Sequence, residues 1–149
     1  MQIKVIDIPW MKKLYGLSSI HDPNRSVGDE IKALLEPVWE IVRKHQISTT
    51  GINHVVYGVN GKYFCGVECP SLSQELQGLT SMRVTLGRYV YYKHIGPYSG
   101  IPKSYSEIVE EMGKMSLQPV PPSVEIYGHW NDDQTLLETE LLLSFRKLP

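Results

Sequence analysis

The sequence predicts an α+β fold made of two strand-helix-strand-strand units, with antiparallel sheets and one helix packed on each. Three observations lead to this prediction. Several runs alternate apolar and polar residues, as strands do, and two stretches repeat apolar residues at three- and four-residue steps, as helices do. The order of elements in residues 1–70 recurs in residues 82–149, although the residues themselves do not repeat. We therefore expect one domain, residues 1–149, with two internal halves.

The first half opens with strand-like runs at residues 2–8 and 12–20, separated by Pro9. A helix is predicted after Ser26, because a capping residue stands there and an apolar stripe extends from it to about residue 45. Pro37 lies inside that stripe, so we expect either a kink or a break into two helices.

A hairpin follows in the first half. Asn60 and Gly61 form the dipeptide preferred in two-residue type I′ turns, and strand-like residues flank it on both sides. A two-residue turn at this place would put Tyr57 opposite Phe64.

The second half is predicted to repeat this order. Residues 82–95 are expected to form one long strand, and Pro102 opens an apolar helical stripe that follows it. Residues 113–122 are proline-rich and are expected to form a loop. Strands are predicted at residues 124–130 and 139–146.

Composition excludes several classes of protein. The 149 residues include 15 Lys and Arg against 16 Asp and Glu, so there is no basic excess for binding nucleic acid. Cys65 and Cys69 are the only cysteines, and on one strand they lie too far apart for a disulfide. Neither a signal peptide nor a membrane-spanning run is present in the sequence, so we expect a cytoplasmic protein. No spacing indicates a metal site or a nucleotide-phosphate loop, so we expect no cofactor.

Three stretches carry a resemblance to a known family. Residues 89–108 read YVYYKHIGPYSGIPKSYSEI, residues 124–145 read VEIYGHWNDDQTLLETELLLSF, and residues 57–69 read YGVNGKYFCGVEC. The first stretch resembles the segment that leads into the second helix of the GyrI-like family. The second resembles the closing hairpin of that family, and the third resembles its first hairpin. That family is also called the AraC-type effector-binding or bacterial multidrug-sensor domain. The resemblance runs over nearly the whole chain.

The resemblance implies two units related by a pseudo-twofold axis, with a cleft between them for hydrophobic and often cationic small molecules. The family glutamate that faces the ligand matches Glu140 on the last strand, and that of a Gly-Val-Glu motif matches Glu68. The family has a proline where this chain has Ser144. Many relatives carry a helix-turn-helix ahead of this domain, whereas this sequence opens directly with the first predicted strand, so we expect a stand-alone binder. Its nearly neutral charge favours no direct contact with DNA.

The residues themselves also favour a site for a cation. Alternation on the last strand assigns Leu141 and Leu143 to the core and leaves Glu140 on the other face. Aromatic faces and a carboxylate together attract delocalised cations. Aromatic residues on strands also pack in ordinary cores. For Trp39 this interpretation is favoured, because it lies on a helical apolar stripe. The predicted ligand-binding residues are Glu140, Glu68, Tyr92, Tyr127, Trp130, Trp39, Tyr63 and His94.

The leading hypothesis is a binding protein that senses or sequesters aromatic, cationic compounds. Two alternatives stay open at this point. The resemblance also implies a hydrolase of strained cyclopropane-type genotoxins, in which Glu140 would be the catalytic carboxylate beside Tyr92 or Trp130. It further implies a protein-interaction module with gyrase or a regulator as its partner.

Overall fold

Eight strands and two α-helices follow one another in the computed structural model, which describes residues 1–149. They occur in the order expected for two repeated units. Neither helix combines the length and the apolarity that crossing a lipid bilayer requires. The elements are β1 Lys4–Ile6, β2 Trp10–Ile20, α1 Val27–Lys44, β3 Asn53–Tyr57, β4 Lys62–Val67, β5 Thr80–Leu86, β6 Tyr89–Ile95, α2 Ile101–Lys114, β7 Leu117–Tyr127 and β8 Glu138–Lys147.

All eight strands lie in one antiparallel sheet, in the order β1-β6-β8-β7-β3-β4-β2-β5. The order is symmetric about the β3–β7 pair. Each unit lends its first strand to the outer edge of the other, because β1 lies beside β6 and β5 lies beside β2. The two predicted units are therefore present, and their antiparallel portions join through β3 and β7 into a single sheet.

Both helices pack on the same face of this sheet. Val38 and Val42 of α1 lie against Tyr15 and Val67, and Ile108 of α2 lies in a second cluster with residues of β6 and β8. The opposite face carries no helix. Only two residues link β5 to β6, although these strands lie near opposite ends of the sheet. The sheet must therefore curl, and this face is covered by its own side chains. Its core includes Leu14, Val56, Phe64, Val84, Leu86, Tyr89, Val124 and Leu142.

Two local expectations for the first half need comment. Ser26 caps α1 as predicted, accepting a hydrogen bond from the Asp29 N–H at 3.1 Å, and the helix is not broken in two at Pro37. The predicted hairpin register is wrong by one residue, since Tyr57 lies opposite Tyr63 and not opposite Phe64. The Gly58 N–H donates to the Lys62 carbonyl at 2.8 Å, so Gly58 faces Lys62 and the turn contains Val59 in addition to the Asn-Gly pair.

Two expectations for the second half are also corrected. Residues 82–95 form two strands, β5 and β6, because each pairs with a different neighbour. Residues 117–122 are not a loop but belong to β7. Residues 117–119 pair on one side only, with β8, and the ladder is then interrupted up to Ser123, where the pairing with β3 begins. Prolines are tolerated in such an edge segment because no ladder donor is needed there.

Gly16 marks a close approach of β2 to β4. It lies opposite Gly66, and it also pairs with Thr80 of β5 on its other side. A methyl group added at Gly16 would stand 2.6 Å from the Gly66 Cα and overlap the Cys65 carbonyl oxygen. Neither backbone can move without breaking the ladder, so this position excludes every side chain.

Replacing Gly16 by alanine is expected to lower the free energy of unfolding by about 1–3 kcal/mol, the usual cost of overpacking. Gly113→Ala is the control. A methyl group there meets no atom within 4 Å, and alanine should raise the stability of this exposed position in α2 by about 0.5–1 kcal/mol. Urea unfolding of both variants measures the difference. Equal midpoints would contradict the close approach.

Candidate functional site

A cleft opens between the N-terminal ends of the two helices, above β3 and β7. Its central cavity measures about 560 Å³, within the range of small-molecule sites. Apolar side chains form its walls, including Val27 and Ile31 of α1 and Ile101 of α2. Glu125 and three tyrosines form a polar group at its floor.

The floor of the cleft is built around the carboxylate of Glu125, which is only 3% exposed. The Tyr57 and Tyr127 hydroxyls donate to its Oε1 at 2.9 and 2.5 Å. The Tyr105 hydroxyl donates to its Oε2 at 2.8 Å. The three donors come from β3, β7 and α2, so the group assembles only when both halves of the chain are folded together.

Local geometry brings these side chains to one place. Glu125 and Tyr127 stand two residues apart on β7 and therefore share a face. Val55 pairs with Glu125 across the β3–β7 join, which puts Tyr57 on the same face two residues further along β3. Tyr105 reaches the group from the second turn of α2.

The floor of the cleft carries an acidic side chain and no basic one. Glu125 is the only charged residue that lines the central cavity, and it takes part in none of the ion pairs of the molecule. Burial raises the pKa of Tyr57, Tyr105 and Tyr127, and the neighbouring Glu125 charge raises each further. The hydroxyls therefore stay protonated and donate. They occupy three of about four acceptor positions on the carboxylate, whose negative charge has no cationic partner.

An aromatic rim continues the cleft towards solvent. Tyr98 packs edge-on against Tyr127, with ring centroids 5.3 Å apart, and its ring centroid lies 6.3 Å from that of Trp130. Trp130 is 62% exposed. A second cavity of about 640 Å³ lies along this rim and shares Tyr98, Tyr127, Gly28 and Ile31 with the first. The two cavities form one elongated cleft.

Two of the predicted ligand-binding residues lie in this cleft, Tyr127 at the floor and Trp130 at the rim. Tyr63 is buried beneath α1. Trp39 packs against the core of the first half and donates its Nε1–H to the Asn53 side-chain oxygen at 2.8 Å. Tyr92 packs in the core under α2.

His94 and the two predicted carboxylates also lie elsewhere. The His94 ring nitrogens lie 2.8 Å from Ser104 Oγ and 2.9 Å from the Pro97 carbonyl oxygen. No three His, Cys, Asp or Glu side chains lie close enough to hold a metal ion. Glu140 accepts a hydrogen bond from the Tyr91 hydroxyl at 2.7 Å, and Glu68 forms an ion pair with Lys12.

The structure therefore does not bring Glu140 into the cleft between the helices. Leu141 and Leu143 point towards α2, so alternation turns Glu140 to the opposite face of the sheet. Tyr91, its hydrogen-bonding partner, packs against the core of that face. Glu68 lies on the same side as Glu140, since it pairs with Lys12 of β2.

Sequence reasoning missed Glu125, Tyr98 and Tyr105 as site residues and did not single out Tyr57. A partial signal existed, because alternation places Glu125 and Tyr127 on one face, with Val124 and Ile126 on the other. Nothing in that pattern tells which face the helices cover. Tyr105 reads as one member of an apolar helical stripe, and only the join of the halves brings it to Glu125.

Neither a protein-family model nor a curated protein matches the sequence. The fold, however, matches several solved structures. The crystal structure of the EcmrR C-terminal domain superimposes with a TM-score of 0.77 at 19% identity, covering 99% of this chain and 98% of that one. In the EcmrR–DNA complex the match covers 58% of the longer EcmrR chain.

Two further matches are smaller proteins. SAV2435 bound to tetraphenylphosphonium gives a TM-score of 0.66 at 12% identity, over 98% of this chain and 94% of that one. A hydrolase from Listeria innocua gives 0.61 at 13% identity, over 97% and 92%. The chain thus has the GyrI-like fold, as the resemblance predicted.

The three tyrosines at the floor should make the free energy of unfolding fall at alkaline pH. Their pKa values are raised in the folded protein, so their contribution is present below the ordinary tyrosine pKa of about 10 and is lost as the pH rises above it. Each should contribute a slope of about 1.4 kcal/mol per pH unit there. Between pH 9 and 11, a range centred on that ordinary pKa, Tyr105→Phe should therefore reduce the total loss of unfolding free energy by about 1.4 kcal/mol, measured by urea unfolding. A slope equal to that of the wild type would contradict the protonated network.

Proposed function

We propose that the protein binds hydrophobic aromatic cations in the cleft between its helices, with Glu125 as the group that selects positive charge. One observation carries the proposal. A buried carboxylate without a cationic partner lies at the floor of an otherwise apolar and aromatic cavity. A buried charge is costly unless it is paired, and a cationic ligand would supply the missing partner.

The walls suit the non-polar body of such a ligand. A cation over an aromatic face gains about 0.5–2 kcal/mol, and the gain increases as water leaves. Tyr98, Tyr127 and Trp130 present such faces between the floor and solvent. The tyrosine hydroxyls hold the Glu125 carboxylate in place before the ligand arrives, which reduces the cost of ordering the site on binding.

A structural relative supports this class of ligand. SAV2435, which shares the fold, has a solved structure bound to tetraphenylphosphonium, a rigid aromatic cation. We extend that chemistry to this chain on the strength of the unpaired carboxylate. The role that follows is that of a single effector-binding domain, which senses or sequesters compounds of this type.

The geometry favours binding over hydrolysis, although a relative from Listeria innocua is named a hydrolase. A general base needs a free acceptor position within about 3 Å of the proton that it removes. Three hydroxyl donors already occupy most of the acceptor positions of Glu125. That arrangement suits a fixed negative charge better than it suits activation of a water molecule.

Glu125→Gln is expected to weaken binding of tetraphenylphosphonium about tenfold or more, because it removes the charge and keeps the shape of the side chain. Glu140→Gln is the matched control and should leave the affinity unchanged, since Glu140 lies on the opposite face of the sheet. Isothermal titration of the two variants and the wild type measures the difference. Tetraphenylborate, an anion of the same shape, should bind none of the three proteins measurably.

The opposite pattern, with affinity lost in Glu140→Gln and kept in Glu125→Gln, would contradict the proposal and show that the ligand binds near Glu140 on the last strand. Equal affinities for tetraphenylphosphonium and tetraphenylborate would show that the site does not select positive charge. Incubating the same samples with a strained cyclopropane electrophile and following its loss tests the hydrolytic alternative. Turnover by the wild type that disappears in Glu125→Gln would establish it.

A further inference from the structure

The two cavities of the cleft carry opposite charge. Glu125 is the only charged residue lining the central cavity, and Lys32 is the only Lys or Arg lining the cavity along the rim, where no Asp or Glu is present. Lys32 lies one turn after Gly28 on α1, on the stripe that faces the cleft. Like Glu125, it takes part in none of the ion pairs of the molecule.

Two further polar side chains, Asn53 and His129, line this cavity together with Lys32. The Asn53 side-chain oxygen is occupied by the Trp39 N–H, which leaves the amide N–H groups of Asn53 to donate. His129 lines the same cavity, where its ring lies near Gly51. This end of the cleft therefore offers an ammonium group and further polar groups, and the other end offers a carboxylate.

We infer that the ligand of this cleft is amphoteric, an aromatic compound with a cationic centre over Glu125 and a carboxylate that reaches Lys32. The inference rests on the proposed function, because it assumes that the cation occupies the central cavity. Tyr98 and Tyr127 line both cavities and would contact the aromatic body that joins the two charged groups. A simple lipophilic cation would use only one end of this arrangement.

The two charged residues should not contribute equally. Glu125 is buried, whereas Lys32 is exposed to solvent, and an exposed ion pair is worth little because water and salt screen it. The carboxylate of the ligand should therefore improve affinity by only about two- to fivefold at low ionic strength. Because screening acts over about 10 Å at 0.1 M salt, the improvement should shrink as salt is added.

The experiment compares carboxybutyl-triphenylphosphonium with its methyl ester, and a carboxypentyl homologue tests the length of the linker. On the wild type, at least one acid should bind about two- to fivefold more tightly than its ester. Lys32→Gln should abolish this preference and leave the affinity for the ester unchanged or slightly higher. Lys44→Gln is the control, because Lys44 is exposed in the last turn of the same helix and should keep the preference.

The outcomes separate the two proposals. If acid and ester bind equally and both depend on Glu125, the cation site stands and the amphoteric ligand is overturned. An equal loss of preference in Lys32→Gln and Lys44→Gln would also overturn it, since the effect would then be one of overall charge. If neither compound nor tetraphenylphosphonium binds the wild type, the proposed function fails and the inference fails with it.

Discussion

The pairing of β3 with β7 is the constraint on which the cleft depends. It joins the two halves of the sheet and sets Val55 opposite Glu125, so that a carboxylate of the second half meets the Tyr57 hydroxyl of the first. The two helices begin on either side of this join, and their first turns become the walls. Since side chains alternate, a shift of one residue in β7 would turn Glu125 into the apolar core of the other face.

The buried carboxylate is a costly feature that the fold only partly compensates. Three hydroxyls replace much of the water that Glu125 would bind in the unfolded chain, and their own pKa values rise because burial and the Glu125 charge both oppose their ionisation. No lysine or arginine completes the group. A residue that served stability alone would be better replaced by an apolar one, and this cost is the reason for proposing that the charge serves ligand binding.

The exchange of edge strands explains why the two sheet faces differ. Because β1 lies beside β6, β5 lies beside β2 and a two-residue link joins β5 to β6, the sheet curls and its helix-free face fills with its own side chains. Glu140 and Glu68 lie on that face and find partners there in Tyr91 and Lys12. The cavities between the helices lie on the other face, where neither carboxylate reaches.

Local patterns in the sequence determined the two repeated units, the capped helix after Ser26 and the GyrI-like resemblance, because these depend on periodicity, capping and turn chemistry within short stretches. They also placed Tyr127 and Trp130 among the predicted ligand-binding residues. The register of the first hairpin, the division of residues 82–95 into two strands and the position of Glu125 in the cleft were decided by the tertiary structure. Alternation assigns residues to two faces of a strand but does not say which face a helix covers. That choice is made by pairing between distant segments, whose geometry no local pattern contains.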